Sequence, residues 1–174
     1  MNSTSASLLG LLEACGGELT GGELVRVAQQ RIGQFWSLTR SQVYRELASL
    51  ERDGLVRPGA RGQRDARPVR ITDAGATAYR EWLTEQLPSD TIRIPVLLAV
   101  AFGSSLETAA LRSVLTQSHA EHQARLAEYR HIDAQIAQTE DHEPWSRATL
   151  SFGIHYEEAV LRWFTTLPAE VRPA

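Results

Sequence analysis

Lysine is absent from this chain: all 18 cationic side chains among its 174 residues are arginine. The planar guanidinium fork suits phosphate and carboxylate partners, so the absence removes nothing from anion binding. There is one cysteine, Cys15, and hence no internal disulfide, which fits a reducing compartment. The longest strongly apolar run, Ile94–Phe102, falls far short of the ~20 residues that span a bilayer. Met1–Ser7 carries no basic group, so no signal peptide is expected and the expected location is the cytoplasm, away from the membrane. Internal repeats and low-complexity tracts are missing. So are glycine-rich phosphate motifs and any pairing of a nucleophile with a base, and no enzyme activity or cofactor is expected. Ser3, Ser5 and Ser7 read as helix-capping residues. His119 and His122 lie three apart with Glu121 between them, but no third ligand stands at helical spacing, so no metal site is assigned. Cys15, among leucines and without a basic neighbour in sequence, reads as core.

What is present is an ordinary globular composition, 43% hydrophobic and 22% charged, with charge unevenly spread. The formal net charge of −3 divides into +1 for residues 1–87 and −4 for residues 88–174. Between Val56 and Ile71 stand five arginines against the single acid Asp65. Because screening confines a patch to about 8–10 Å, local charge decides contact with nucleic acid.

The hydrophobic period predicts a mainly α protein. Leucines at Leu8, Leu9, Leu11 and Leu12 mark a first helix that stops at Gly16-Gly17. Thr20 followed by Glu23 has the form of a capping box, opening a second helix on Leu24, Val27, Ala28 and Ile32. After a turn through Phe35-Trp36-Ser37, Thr39 to Gln42 repeats that signal for a third helix ending at Asp53-Gly54. Two short strand-like runs follow, Leu55–Arg57 and Arg67–Ile71, around a basic, turn-rich loop. Thr72-Asp73 then caps a fourth helix with Ala76, Tyr79, Trp82 and Leu83 expected inward. This order gives a winged helix-turn-helix domain with a small β-hairpin wing over residues 1–87. An all-α dimerisation domain follows over 88–174. In that part a helix begins at Ile94-Pro95. A long one runs from Ser105 to about Thr139 with the seam Leu111, Leu115, Ser118, His122, Leu126, Tyr129, Asp133 and Ile136. A last one, Trp145 to Leu167, carries Phe152, Tyr156, Ala159, Trp163 and Leu167 at the same spacing.

On a helical wheel Val43, Leu47 and Leu50 of the third helix fall together, and Ser41, Arg45, Ala48 and Arg52 fall opposite, flanked by Gln42 and Tyr44. No acid lies three or four positions from Arg45 or Arg52, so no intrahelical pair at that spacing accounts for them. Such a face fits a major groove, with Arg45 and Gln42 at base edges and Ser41 and Tyr44 at phosphates. Ser37, Thr39 and Arg40 complete the expected contact at the helix N-terminus, whose amides suit a phosphate oxygen. Arg61, Arg64 and Arg67 are expected to make backbone contacts from the wing. A solvated helix face and a hydrophilic turn are the bland alternatives; helix followed by basic hairpin is more specific than either alone.

The run Phe35-Trp36-Ser37-Leu38-Thr39-Arg40-Ser41-Gln42-Val43-Tyr44-Arg45-Glu46-Leu47-Ala48-Ser49-Leu50-Glu51-Arg52-Asp53-Gly54-Leu55-Val56, with Arg70-Ile71-Thr72-Asp73-Ala74-Gly75, resembles the PadR family of winged-helix regulators. The resemblance covers roughly Leu8–Leu83. It implies a homodimeric repressor on a palindromic double-stranded DNA operator, released by a small molecule or another signal, with Tyr44 on the DNA backbone. The chain departs from the family pattern at Thr20-Gly21-Gly22, where His-Gly-Tyr is frequent, and at Val69, where an aromatic is frequent. The length beyond Leu87 is similar to the longer subgroup, whose C-terminal helices build the dimer.

Trp36 and Trp82 are expected in the core of the first domain. His122, Tyr129, Trp145, Phe152, Tyr156 and Trp163 are candidates for lining an effector pocket for a small apolar or aromatic molecule. A plain dimer core, with His122, Tyr129 and Asp133 fixing helix register, explains the same residues. The rivals are a winged helix used for protein contact, as in an adaptor or antirepressor; a small enzyme; and a DNA-binding module with no ligand.

Overall fold

The computed structural model describes residues 1–33, 35–59, 67–85, 87–89, 93–138 and 144–173. It divides into two compact units, Met1–Asp90 and Thr91–Ala174.

In the first unit, α1 (Ser3–Ala14) starts under an Asn2 cap whose side-chain oxygen accepts from the Ser5 amide. It ends at Gly16 and Gly17, both with φ near +85°, a region that only glycine enters without strain. That turn is closed by the Gly17 amide donating to Leu12 O at 2.7 Å. β1 (Glu18–Thr20) follows. The Thr20/Glu23 capping box is formed and starts α2 (Gly21–Arg31). The second box, Thr39/Gln42, starts α3 (Arg40–Arg52). Leu8, Leu9, Leu12, Leu24, Val43 and Leu50 sit at the centre of a core that these three helices share. The inward positions read from the periodicity of α2 and α3 are therefore those that pack.

β2 (Val56–Pro58) and β3 (Pro68–Ile71) form the antiparallel wing. β1 pairs with the free edge of β3, Leu19 opposite Val69, making a three-stranded sheet of order β1-β3-β2 in place of the expected two-stranded hairpin. Three residues are too few to declare a period, so this strand leaves no mark on the sequence pattern. α4 (Asp73–Glu85) is fastened by Thr72. Its hydroxyl donates to Gly54 O and Leu55 O, at 2.9 and 3.1 Å, and accepts from the Gly75 amide. Gly75 is buried hard against the Leu55 carbonyl. Two expected core positions differ. Leu83 is exposed on α4, and Trp36, with Phe35, stands out in the turn before α3. A turn of that length offers no second layer to cover an indole.

In the second unit, α5 (Pro95–Ala101) has its proline in the first turn, and a short 3₁₀ turn, Gly103–Ser105, leads to α6 (Thr108–Ile136). The long helix thus starts three residues later than the pattern predicts, because the Gly-Ser-Ser segment tightens before it. Leu115, His122, Leu126 and Tyr129 are its buried residues, all on the predicted seam. α7 (Pro144–Phe164) lies antiparallel to it and buries Leu150, Glu157 and Phe164, seven residues apart. Here the expected stripe is corrected: Phe152, Tyr156 and Ala159 turn outward, Trp163 is half-buried, and only Leu167 of that set is buried. α7 carries two apolar faces, and its inward one has a carboxylate in its middle, which a hydropathy reading rejects.

No helix among the described residues is long and apolar enough to cross a membrane.

Candidate nucleic-acid interface

The outward face of α3 is set by its inward one. With Val43, Leu47 and Leu50 locked in the core, Arg40, Ser41, Tyr44, Arg45, Ala48 and Arg52 are all exposed. Thr39 and Gln42 hold the N-terminus of this helix. The Gln42 amide oxygen accepts from the Thr39 amide at 2.8 Å and from its hydroxyl at 2.9 Å, while Thr39 Oγ1 accepts from the Gln42 amide. Both residues were placed among DNA contacts by the sequence; the structure gives them a capping role, with Gln42 spending its oxygen on it. Ser41 lies beside them, its hydroxyl 3.2 Å from Thr39 Oγ1, and Ser37 is exposed in the preceding turn.

Tyr44 is the hinge point of this surface. Its ring lies over Gly21 at the start of α2, so close that a Cβ there would sit 2.7 Å from a ring carbon. The Arg40 guanidinium carbon lies 5.6 Å from the ring centroid, within reach of a cation–π attraction. Gly21, where the chain keeps the glycine of the family pattern, thus makes room for Tyr44, whereas at Gly22, where it departs, an added Cβ would meet nothing within 4 Å. Tyr44 also borders, with Ala48, Glu51 and Arg67, an open cleft of about 220 Å³ between α3 and the foot of the wing. Arg67 thereby lies across this cleft from α3. Arg61 and Arg64 lie outside the described residues.

Two cations have carboxylate neighbours. Arg45 Nε approaches Glu46 Oε1 at 3.4 Å, and Arg70 Nε approaches Glu18 Oε2 at 3.9 Å across the β1–β3 pair. Both arginines keep more than half of their side-chain surface in solvent, 69% and 53%, so their charge still reaches outward. Arg40, Arg52 and Arg67 form no ion pair among the described residues. Glu46 is the neighbour of Arg45 that the sequence reading did not single out. It stands one position from Arg45, where helix side chains do not ordinarily meet, and its other partners are more than forty residues away.

The candidate effector residues do not gather at one place. His122 and Tyr129 are buried on α6, Trp163 packs on Phe164 with ring centroids 4.8 Å apart, and Trp145 and Phe152 are the most exposed aromatics of α7. His122 donates from Nδ1 to the buried Glu157, which also takes Arg125 Nη1 at 3.2 Å. Further along, Arg130 pairs with Glu158 and Arg147 with Asp133, at 2.8 and 2.9 Å. His122 and Tyr156 do meet at a cleft of about 480 Å³ beside α5, where Ile94, Val96 and Val114 supply apolar walls and Arg93, Arg125 and the acid Glu121 supply charge. No cluster of metal-ligating side chains occurs among the described residues.

Comparison with known proteins matches residues 92–171 to the family described as virulence activator alpha C-term. The negative transcriptional regulator PadR of Bacillus subtilis is 28% identical over 154 residues, covering 86% of this chain and 82% of that protein. Its structure in complex with operator DNA superposes with a TM-score of 0.77 at 24% identity, over 93% of this chain and 95% of that one. The same protein in complex with p-coumaric acid gives 0.71 at 24% identity, over 91% and 92%. The Vibrio cholerae virulence activator AphA gives 0.74 at 25% identity, over 92% and 93%.

Proposed function

We propose that the chain is a PadR-like, winged-helix, DNA-binding transcriptional regulator, and more narrowly a homodimeric, operator-binding repressor released by a small effector; its likeness to the named regulators supports the broader reading. The observation that carries the reading is the outward face of α3, where Arg45 and Arg52 stand exposed beside Tyr44, with Arg67 across an open cleft. In this reading Arg45 reads base edges in the major groove. Arg40, Ser41 and Tyr44, with the capped helix start at Ser37, Thr39 and Gln42, hold the phosphate backbone. The wing arginines add affinity without sequence information. The operator complex of the Bacillus relative supports this assignment.

A second copy is the proposed cover for the outward apolar residues of the second unit, Leu98, Phe102, Trp145 and Phe152, each more than 60% exposed in the single chain. A two-fold pair would offer two recognition helices to half-sites about one DNA turn apart, ~34 Å, or a multiple of it. The cleft beside α5 is the proposed effector site. Its apolar walls suit a flat molecule, and Arg93, which forms no ion pair among the described residues, is the cation there for one negative charge, since Arg125 is paired with Glu157; the p-coumaric acid complex of the relative supports that class. Binding there lowers operator affinity only to the extent that it favours one dimer geometry over the other.

Selection from a random DNA pool with the purified protein, at a measured oligomeric mass, tests the reading. Recovery of a palindrome by a dimer is the expected result. Equal retention of all sequences, lost at high salt, would leave only non-specific attraction, and no retention would favour the protein-contact alternative.

A further inference from the structure

Arg45 is the best-placed base-reading cation, and its neighbour is held in an unusual way. Glu46 is largely withdrawn from solvent, its side chain 12% exposed. One carboxylate oxygen, Oε2, accepts from Asn2 Nδ2 at 2.9 Å and from Ser5 Oγ at 2.8 Å, both at the start of α1. Asn2 performs a second task with the same amide, its Oδ1 capping α1 through the Ser5 amide at 2.8 Å. The remaining oxygen, Oε1, is left facing Arg45 Nε at 3.4 Å. Consecutive residues of a helix diverge by about 100°, so a pair at this spacing does not form by default. It requires the acid to be leaned and fixed from another side, and Asn2 and Ser5 do that.

We propose that Glu46 is a positioning residue of the DNA-reading surface: gripped by the N-terminus of α1, it presents one oxygen to Arg45 and sets the direction of that guanidinium. The inference rests on the reading of α3 as the recognition helix. A long arginine side chain samples many rotamers, and bidentate recognition of a base uses one of them. A fixed carboxylate beside Nε, which is not one of the two terminal nitrogens needed at the base, removes part of that search before DNA arrives. The long contact and high exposure make this a weak bias, appropriate to steering and too small to withhold the charge.

The test uses the full chain and compares Glu46→Gln, Ser5→Ala, Arg45→Ala and the double variant Arg45→Ala/Glu46→Gln. For each, the ratio of dissociation constants for the selected site and a scrambled one is measured at fixed salt, alongside the unfolding midpoint. A ratio cancels the general gain in DNA affinity that loss of an acid brings. Glu46→Gln is expected to cost about two- to fivefold in discrimination, Ser5→Ala a smaller loss in the same direction, and Glu46→Gln nothing further once Arg45 is gone. An unchanged ratio, or an equal loss in the Arg45→Ala background, overturns the proposal. A second readout needs no DNA: the Nε–H of Arg45 in the free protein, ordered by NMR relaxation in the unsubstituted chain and released in Glu46→Gln. If the unsubstituted protein selects no DNA, the recognition-helix reading fails and takes the functional claim with it. If DNA is selected but Arg45 Nε–H moves equally in both proteins, the DNA reading survives and Glu46 is not its positioning residue.

Discussion

At the scale of single residues, the parts of the sequence that carry the family resemblance split into those exposed on the proposed DNA-facing surface and those that hold the fold. Thr72 and Gly75 belong to the second kind. Thr72 ties the end of α3 to the start of α4 through two carbonyls, and Gly75 lets α4 approach so closely that an added Cβ would lie 2.1 Å from Leu55 O. Gly75→Ala is expected to cost about 2–3 kcal/mol, since a backbone carbonyl cannot step aside, and to lower the melting temperature of the first unit by about 10 °C. Calorimetry checks it. Glu46 has a pH consequence. The hydrogen bonds from Asn2 and Ser5, with a smaller contribution from Arg45, hold its carboxyl below the ordinary value of 4.5, against the opposing effect of burial. A carboxyl depressed in the folded state stabilises it in full above its unfolded value, and that contribution fades as pH falls through the lower folded value. The stability gap between the unsubstituted protein and Glu46→Gln should therefore be constant near neutrality and close below about pH 4.5. Urea titrations at several pH values would show it, and a gap that persists under acid would contradict the assignment.

At the scale of elements, the α6–α7 hairpin is organised by one buried polar pair. Leu115, His122 and Tyr129 on one helix run against Phe164, Glu157 and Leu150 on the other, and the central rung is the His122–Glu157 bond with Arg125 beside it. Glu157→Ala removes the acceptor that His122 and Arg125 share and is expected to destabilise the second unit by about 3 kcal/mol. Asp133→Ala, which breaks the more exposed pair with Arg147, should cost less than about 1 kcal/mol. Denaturant unfolding of the two variants side by side separates the cases, and equal losses would remove the special role of the buried acid. The same hairpin shows what the sequence made legible. The seam of α6 could be read because its leucines and Ile136 repeat near the helical period, and of its polar or polar-tipped members only His122 and Tyr129 are buried. The inward face of α7 could not, because Glu157 occupies its centre and the outward aromatics form the stronger stripe. The caps at Thr20 and Thr39 were visible since both partners lie within three residues. The bonds from Asn2 and Ser5 to Glu46 were not, since they join positions more than forty apart. β1 was too short to announce itself.

At the scale of the whole molecule, acidic and cationic character are kept in different stretches of chain. Residues 88–174 hold 11 acids against 7 arginines, while Val56–Ile71 holds five arginines against one acid. A chain with a formal charge of −3 can attract DNA because only the nearest patch is felt through ~8–10 Å of screening. Arg67→Ala is expected to weaken selected and scrambled DNA alike and to reduce the slope of log affinity against log salt by about 1. Fluorescence anisotropy across a salt series reads both, and a slope unchanged by the substitution would remove Arg67 from the interface.

The antiparallel hairpin also limits how a signal travels through the second unit. Its rungs repeat every seven residues, and the central one joins the buried Glu157 to His122 and Arg125. A slide of α6 along α7 by one turn, ~5.4 Å, would part the buried Glu157 from His122 and break the Arg130–Glu158 and Arg147–Asp133 pairs, at a cost of several kcal/mol. The pair resembles a latch held at several notches: longitudinal travel is costly, and tilting of the two rods as one piece is the movement through which the proposed effector would have to act.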